Sequence, residues 1–217
     1  MKKKIRILLA DDHDLVRRGL RPLIESEWGW EICGEAKHGR EAVAMAEELK
    51  PDIVVLDVGM PELNGVDAAR QIKRALPGTE ILILTGQESE GLVHQVLAAG
   101  ARGYLLKTDA GAQIIPAIKA LCEHKPYLTS RAAEVVLDSY LTGDGVAKHA
   151  TPGGLTPRER EIVQLLAEGK SNKEVGTALG ISVKTAETHR ATVMHKLGFK
   201  AFSELVRFAV RNHIVSA

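Results

Sequence analysis

The chain has 217 residues, which is long for one small domain and suits two domains of ordinary size. Hydrophobic residues make up 45% and charged residues 26%, as is normal for a globular protein in which each domain buries its own core. No stretch approaches the roughly 18 uncharged apolar residues that a membrane-spanning helix requires. We therefore expect no such helix.

The N-terminus and the cysteines bear on the compartment. The basic start, residues 1–4, resembles that of a signal peptide, but the apolar run after it ends at Asp11, so the hydrophobic region of a signal peptide is missing. We expect a cytoplasmic protein. Cys33 and Cys122 lack metal-ligand spacing and lie in segments with a core-like pattern. We expect reduced, structural thiols and keep a disulfide as the lesser alternative.

The net charge of +1 conceals an uneven distribution along the chain. Basic and acidic residues number 17 and 19 in residues 1–125, 2 and 3 in residues 126–154, and 10 and 6 in residues 155–217. The positive excess lies in the last segment, where it would favour contact with a polyanion. Because the excess is small, it supports nucleic-acid binding without establishing it.

Short apolar runs alternate with amphipathic helical patterns through the first 125 residues. Several of these runs are continuously apolar, which is typical of strands covered on both faces. The predicted strands are residues 5–10, 31–35, 53–56, 81–84 and 103–106, and the predicted helices are residues 15–25, 40–49, 66–76, 90–99 and 113–123. Regular alternation with right-handed crossovers predicts an α/β, doubly wound parallel sheet with its ligand site beyond the carboxyl ends of the strands.

Polar residues stand where the predicted strands end, and the expected fold brings them to one edge of the sheet. They are Asp11, Asp12, Asp57, Thr85 and Lys107. Crowded carboxylates repel one another unless a cation neutralises them, and oxygen ligands of this kind suit Mg²⁺. We therefore expect a magnesium site formed by Asp11, Asp12 and Asp57, with Asp57 as a nucleophile that accepts a phosphoryl group. Lys107 would counter the phosphoryl charge, and the Thr85 hydroxyl would donate to it.

These residues, with the run from Asp57 to Gly65 and the pair Thr85-Gly86, resemble the receiver domain of two-component response regulators. The resemblance covers the first half of the chain. It implies a flavodoxin-like five-stranded sheet of order 2-1-3-4-5 and a sensor histidine kinase as the phosphodonor. It also implies that the small Gly86 leaves access to an acyl phosphate.

The same resemblance assigns roles to three further positions. It implies that the Gly59 carbonyl binds the metal and that Tyr104 swings inward when the threonine turns to the phosphate. Receivers often place a proline in a cis peptide after the lysine, and here Thr108 takes that position. A cis peptide bond before a residue other than proline costs about 3 kcal/mol. Whether the peptide between residues 107 and 108 is cis or trans therefore stays open.

Residues 126–154 are predicted to connect the two domains. An apolar stripe of Leu128, Val135, Val136 and Tyr140 predicts a connecting helix over residues 128–141. The Gly-rich polar stretch after it, up to residue 154, has few large apolar groups and predicts a flexible linker. Such a linker would let the second domain dock on the first or release from it.

Residues 155–217 carry the start and stop signals of four helices and predict an all-α domain. Residues 156–159 and 171–174 each form a capping-box pattern, the first with proline at its second position. Ser182 begins the third helix, and Gly198 ends it. The tight turn over residues 179–182, between the second and third helices, predicts a helix-turn-helix.

The third helix separates into two faces on a helical wheel. Ala186, Val193 and Leu197 form the face expected to pack on the core. The opposite face is small and polar and suits the major groove, and residues beside it and before it suit the phosphates. The predicted DNA contacts are Lys173, Lys184, Thr185, Glu187, Thr188, His189, Arg190, Ala191, His195 and Lys196.

The pattern from Leu155 through His189 to Gly198 resembles the LuxR-type DNA-binding domain. With a receiver before it, the whole chain resembles the NarL/FixJ subfamily of response regulators. The resemblance implies a transcription regulator that is switched by phosphorylation of Asp57 and binds paired half-sites as a homodimer. It implies no enzymatic activity beyond slow loss of the protein's own phosphate. We expect dimerisation or domain release to expose the DNA-binding face.

Two other functions stay open at this point. Asp-rich magnesium sites also occur in phosphohydrolases, and Asp12 and Asp14 have the spacing used there, although no cap insertion follows and Asp14 is typical of a helix N-cap. Alternatively, the receiver is a passive dimerisation module. Taken alone, Tyr104 is typical of packing and Glu187 of a solvated helix face, and His195 suits solvent and DNA equally.

Overall fold

The computed structural model describes residues 4–142 and 152–215. The flexible linker predicted after the connecting helix lies largely outside these residues. In chain order the elements are β1 (Ile5–Ala10), α1 (Asp14–Glu25), β2 (Trp30–Ala36), α2 (Gly39–Leu49), β3 (Ile53–Asp57), α3 (Gly65–Ala75), β4 (Glu80–Thr85), α4 (Glu90–Ala98), β5 (Gly103–Leu106), α5 (Ala110–Cys122), α6 (Ser130–Thr142), α7 (Pro157–Ala167), α8 (Asn172–Leu179), α9 (Val183–Lys196) and α10 (Phe202–Arg211).

The five strands form one parallel sheet in the order β2-β1-β3-β4-β5, which confirms the predicted doubly wound fold. Successive side chains of a strand point to opposite faces, so the sheet has a core on each side. Leu8 and Val54 belong to the core shared with α2, α3, α4 and α6. Ile7 and Leu9 belong to the core shared with α1 and α5. Burial on both faces explains why these strands are continuously apolar.

The carboxyl ends of the central strands bring the predicted polar residues to one edge. Asp57 is the last residue of β3, Thr85 is the last of β4, and Lys107 follows β5 directly. α3 begins against the backbone of Asp57, where a Cβ on Gly65 would lie 2.0 Å from the Asp57 carbonyl oxygen. Only glycine fits this close approach. Gly65 is therefore required for the packing of α3 against the site.

The connecting helix and one cysteine differ from expectation. α6 packs on α4 through Ala132 and Val135, but Tyr140 is 83% exposed, so the apolar stripe is only partly covered. Cys122 is exposed at the end of α5, and the prediction of a core thiol is wrong there. Cys33 is partly buried, and both thiols are free. The peptide before Thr108 is trans, since the described residues contain no cis peptide bond.

The second domain consists of α7 to α10 around a core of its own. Both predicted capping boxes are present, Thr156 with Glu159 and Ser171 with Glu174. Gly180 ends α8 in the left-handed conformation (φ 64°), which glycine adopts readily and which turns the chain into α9. None of the helices in the described parts of the chain combines the length and apolar character that a membrane crossing requires.

Candidate functional site

Three charged side chains that are distant along the chain meet at the carboxyl edge of the sheet. Lys107 Nζ lies 2.8 Å from Asp11 Oδ2 and 3.0 Å from Asp57 Oδ2. Asp11 is fully buried and Asp57 is 4% exposed. Two buried carboxylates without a cation would be strongly unfavourable, so the ammonium group compensates for both.

Burial and the neighbouring charges shift the pKa values of Asp57 and Lys107. Burial and the charge of Asp11 raise the pKa of Asp57 to about 6, against the opposing effects of Lys107 and of the Gly59 N–H, which donates to the carboxylate. Burial disfavours the Lys107 ammonium, yet hydrogen bonds and charges from Asp11 and Asp57 raise its pKa overall. Asp57 is therefore a carboxylate whose ionisation depends on local positive charge.

The pocket fits a hard divalent cation. Ligand atoms of Asp11, Asp12, His13 and Asp57 all lie within 4.8 Å of one another. The buried Asp11 Oδ2 faces the Lys107 ammonium and has no further partner among the described residues, so it can also serve as a metal ligand. A set dominated by carboxylate oxygens is the kind that Mg²⁺ prefers. Sequence reasoning missed His13, whose only signal is its place directly after Asp12.

The two predicted switch residues, Thr85 and Tyr104, both contact the carbonyl of Gln87. The Thr85 hydroxyl donates to the Gln87 carbonyl at 2.6 Å. Tyr104 is fully buried, and its hydroxyl reaches the same carbonyl at 3.4 Å. The tyrosine therefore already occupies an inward position while the threonine faces Gln87. A Cβ added at Gly86 would meet nothing within 4 Å, so this side of the pocket is open.

Asp14 does not join the acidic group. It is the first residue of α1, with His13 at the N-cap position, so the N-cap prediction is wrong by one residue. Its carboxylate pairs with Arg17 at 2.9 Å and with Arg18 at 2.7 Å. The phosphohydrolase alternative required Asp12 and Asp14 to act together, and this geometry removes its basis.

The predicted DNA-binding face of α9 is largely exposed. Ala186 and Val193 are buried in the domain core, as predicted. Some predicted contacts have partners within the domain: Arg190 lies 5.1 Å from the Phe202 ring centroid, and Lys196 pairs with Glu159 at 2.8 Å. His189 and Arg190 are half-buried; the exposed members are Lys173, Lys184, Thr185, Glu187, Thr188, Ala191, His195 and Lys196.

A buried polar interface joins the two domains, and sequence reasoning missed it. Arg160 on α7 donates through Nε to both carboxylate oxygens of Asp67 on α3, at 3.1 and 3.0 Å. Gln164 accepts from the backbone N–H of Asn64 at 2.7 Å and donates to the Met60 carbonyl at 3.0 Å. These side chains lie on the face of α7 away from its apolar residues. No periodicity distinguishes such a face from a solvated one.

Further polar contacts widen this interface. Glu161 accepts from Arg40 at 3.1 Å and from Gln71 at 3.0 Å. After α10, His213 Nε2 lies 2.8 Å from Ser89 Oγ in the loop before α4. The two domains are therefore docked through α7 and through the end of α10. The exposed face of α9 takes no part in these contacts, so neither of the two expected events, dimerisation or domain release, is needed to expose it.

The fold and these sites together define a two-domain regulatory protein, with an acidic pocket in an α/β domain followed by a helix-turn-helix domain. Residues 7–119 match the family of response regulator receiver domains, and residues 154–209 match the bacterial regulatory proteins of the luxR family. The chain belongs to the response regulators that join a receiver domain to a LuxR-type DNA-binding domain.

Individual relatives span nearly the whole chain. The chain is 40% identical over 213 residues to the transcriptional regulatory protein LiaR of Bacillus subtilis (strain 168). The aligned region covers 98% of this chain and 100% of that protein. The chain is 34% identical to the response regulator VraR of Staphylococcus aureus over 97% of this chain and 99% of the relative. A solved structure of RcsB from Salmonella typhimurium is similar, with a TM-score of 0.64, 25% identity, and coverage of 97% of this chain and 98% of that one.

Proposed function

We propose that this response regulator is switched by phosphorylation of Asp57. The observation that carries the proposal is the placement of the Lys107 ammonium between two buried carboxylates, within 2.8 Å of Asp11 and 3.0 Å of Asp57. An ammonium group in this position can counter the charge of a phosphoryl group that arrives at Asp57. A receiver that served only for dimerisation would have no use for such an arrangement.

Mg²⁺ is the proposed metal, held by Asp11, Asp12, Asp57 and the carbonyl oxygen of Gly59. The acidic group around Asp57 supports this choice, since its oxygens are close enough to share one ion. When bound, the ion would supply positive charge that favours ionised Asp57 and the oxygens of a phosphoryl group. Asp57 itself is the nucleophile: its carboxylate oxygen forms the new bond to phosphorus as the phosphorus–nitrogen bond of the donor breaks and the nitrogen group leaves.

Thr85, Gly86 and Tyr104 are proposed to convert phosphorylation into a change of shape. The Thr85 hydroxyl would leave the Gln87 carbonyl and donate to the phosphoryl group. The Gln87 carbonyl, which accepts from both Thr85 and Tyr104, would then lose the hydrogen bond from Thr85. This loss loosens the loop before α4. Gly86 leaves room for the phosphoryl group beside Asp57. Because Ser89 in the same loop contacts His213, the change reaches the DNA-binding domain directly.

The proposed partners are a sensor histidine kinase, duplex DNA and a second copy of the chain. The kinase supplies phosphate to Asp57, and the protein loses it slowly by its own hydrolysis, with no turnover of other substrates. The phosphorylated homodimer binds paired half-sites. The proposed contacts are Lys173, Lys184, Thr185, Glu187, Thr188, His189, Arg190, Ala191, His195 and Lys196. Because chromosomal DNA lies in the bacterial cytoplasm, a protein that binds it acts in that compartment.

We propose three functional segments for this chain. Residues 1–125 form the receiver, residues 126–154 the connection, and residues 155–217 the DNA-binding domain. The ranges matched by the two family models support this division. The connection then sets how far the second domain can move when docking is lost.

Asp57→Asn tests the switch. The wild type is expected to take up one phosphoryl group from phosphoramidate with Mg²⁺, seen as a mass increase, and to protect genomic DNA fragments more strongly in a footprint. The Asp57→Asn variant is expected to do neither. Asp109→Asn, which removes an exposed carboxylate nearby, is the matched control and should behave as wild type. Donor-dependent DNA protection by Asp57→Asn would refute the proposal, and no uptake by the wild type would favour the passive receiver.

A further inference from the structure

The phosphoacceptor pocket has walls from both domains. It opens into a cavity of about 410 Å³ lined on the receiver side by Asp57, Thr85 and Lys107. On the other side the C-terminal wall of the cavity consists of Val210, His213 and Val215, from the end of α10 and the residues after it. Asp57 is only 4% exposed in this arrangement.

Polar contacts hold the C-terminal wall in place. His213 is tied to Ser89 in the loop before α4. Farther along the interface, Arg160 is 1% exposed and forms its ion pair with Asp67, and its terminal nitrogen also donates to Gln95 at 3.2 Å. Interfaces of this polar kind between domains resemble transient ones, because water can satisfy the same groups after separation. Docking is therefore reversible in principle, and Arg160 is its most buried charged contact.

Docking places residues of the second domain at the acceptor cavity and leaves the DNA-reading face exposed. Lys184 and Thr188 on α9 are exposed while the domains are in contact, whereas the C-terminal wall lines the same cavity as Asp57. In this arrangement the receiver does not hide α9. The consequence of docking falls on whatever molecule must reach the Asp57 carboxylate.

We propose that the docked DNA-binding domain selects phosphodonors by size. A small donor such as phosphoramidate fits a cavity of this volume, which is in the range of ordinary small-ligand pockets. A phosphohistidine on a protein arrives with the surface around it, and a standard protein–protein contact buries about 800 Å² on each partner. The C-terminal wall occupies that space, so a protein donor requires the domains to separate first. The inference rests on the proposed role of Asp57.

The chemistry is the same for both donor classes, so only access distinguishes them. An Asp57 carboxylate oxygen forms the bond to phosphorus as the phosphorus–nitrogen bond breaks. The nitrogen leaves as ammonia from phosphoramidate, or as the imidazole of histidine, with a proton taken from water where needed. Nothing is oxidised or reduced. Loss of docking should therefore change access by large molecules far more than access by small ones.

The test measures access to the floor of the cavity in the full-length chain. Asp57→Cys provides a thiol there, in a Cys33→Ser, Cys122→Ser background because Cys122 is exposed. Labelling rates are measured with N-ethylmaleimide and with a maleimide on a 5-kDa polyethylene glycol. Each is compared with and without Arg160→Ala, which removes one partner of a buried pair. Arg102→Ala is the matched control, since Arg102 is exposed and pairs with Glu80 at the opposite end of the sheet.

Arg160→Ala is expected to speed labelling by the large reagent at least about tenfold, as expected when a buried ion pair that holds the closed state is broken. The small reagent should change by less than about threefold, and Arg102→Ala should change neither. Equal acceleration of both reagents, or of neither, would overturn the proposal. If Asp57→Cys fails to fold, Thr85→Cys places a near-isosteric thiol on the same floor. Labelling needs no phosphate, so a failure here is distinct from failure of wild-type phosphorylation.

Discussion

The acceptor pocket and the DNA-binding face of α9 are two charged regions built in opposite ways. In the pocket, Asp11, Asp57 and Lys107 come from distant parts of the chain, and the half-buried Lys107 lies between the two buried carboxylates. On α9, Lys184 and Thr188 belong to one helix and are exposed to water. Charges in the pocket must be compensated inside the protein, whereas those on α9 are solvated by water and can pair with the phosphates of a partner. Substitutions in the pocket should therefore alter stability and its pH dependence, and those on α9 should alter DNA affinity alone.

The largest expected effect is on the stability of the pocket. Burial first, and then Asp11, raise the pKa of Asp57 from an ordinary 3.8 to about 6. The folded protein therefore keeps this proton at pH values where the unfolded chain has lost it, so stability falls as the pH rises from about 4 through 6. In metal-free buffer at pH 8, Asp57→Asn should be more stable than the wild type by about 3 kcal/mol. Urea unfolding of both proteins from about pH 3 to pH 8 measures this difference.

The same titration contains its own controls. The advantage of Asp57→Asn should shrink towards zero below about pH 3, where the wild-type carboxyl group is protonated in both states. Saturating Mg²⁺ should stabilise only the wild type and narrow the gap at pH 8. Asp109→Asn, an exposed site, should follow the wild type at every pH. A constant difference across the pH range would show that Asp57 is not the group that titrates.

The pocket was predictable from sequence because parallel strands must end at one edge. That rule brings Asp11, Asp57 and Lys107 together without knowledge of any side-chain contact. The direction of Thr85 towards the Gln87 carbonyl was not predictable, because a hydroxyl rotates among several local acceptors. The trans peptide before Thr108 also required the structure.

The helices of the second domain were predictable because their capping residues are local, as Thr156 and Ser171 show. The interface between domains was not. Arg160 and Gln164 are polar residues on a helix whose apolar residues already account for the core, and a sequence offers no way to tell a polar face that meets another domain from one that meets water. The exposure of Cys122 and Tyr140 was not predictable for a similar reason. The sequence pattern of a helix does not show which of its sides the neighbouring elements cover.

A smaller effect is expected on α9, and it should leave stability unchanged. Thr188→Ala removes a polar group from the middle of the predicted groove-facing surface and should weaken binding to a footprinted fragment by about fivefold, or about 1 kcal/mol. Its hydroxyl donates only to the Lys184 carbonyl, so the free energy of unfolding should change by less than about 0.5 kcal/mol. Titration of labelled DNA at fixed salt measures the affinity. Thr177→Ala removes the same kind of hydrogen bond on α8 and is the matched control. Equal losses of DNA affinity in both variants would show that the loss does not come from a contact of Thr188 in the groove.

The smallest effect should appear only in the salt dependence of DNA binding. Lys173 is exposed near the N-terminus of α8, where a phosphate would meet both the lysine and the helix dipole. Lys173→Gln should lower the slope of log affinity against log salt by about 1, because one fewer counterion is released. Lys37→Gln removes an equally exposed charge from the receiver and should leave the slope unchanged. The two variants carry the same net charge, so a slope that falls equally in both would reflect the field of the whole protein. A slope that falls only in Lys173→Gln would locate a phosphate at α8 and set the orientation of α9 on the duplex.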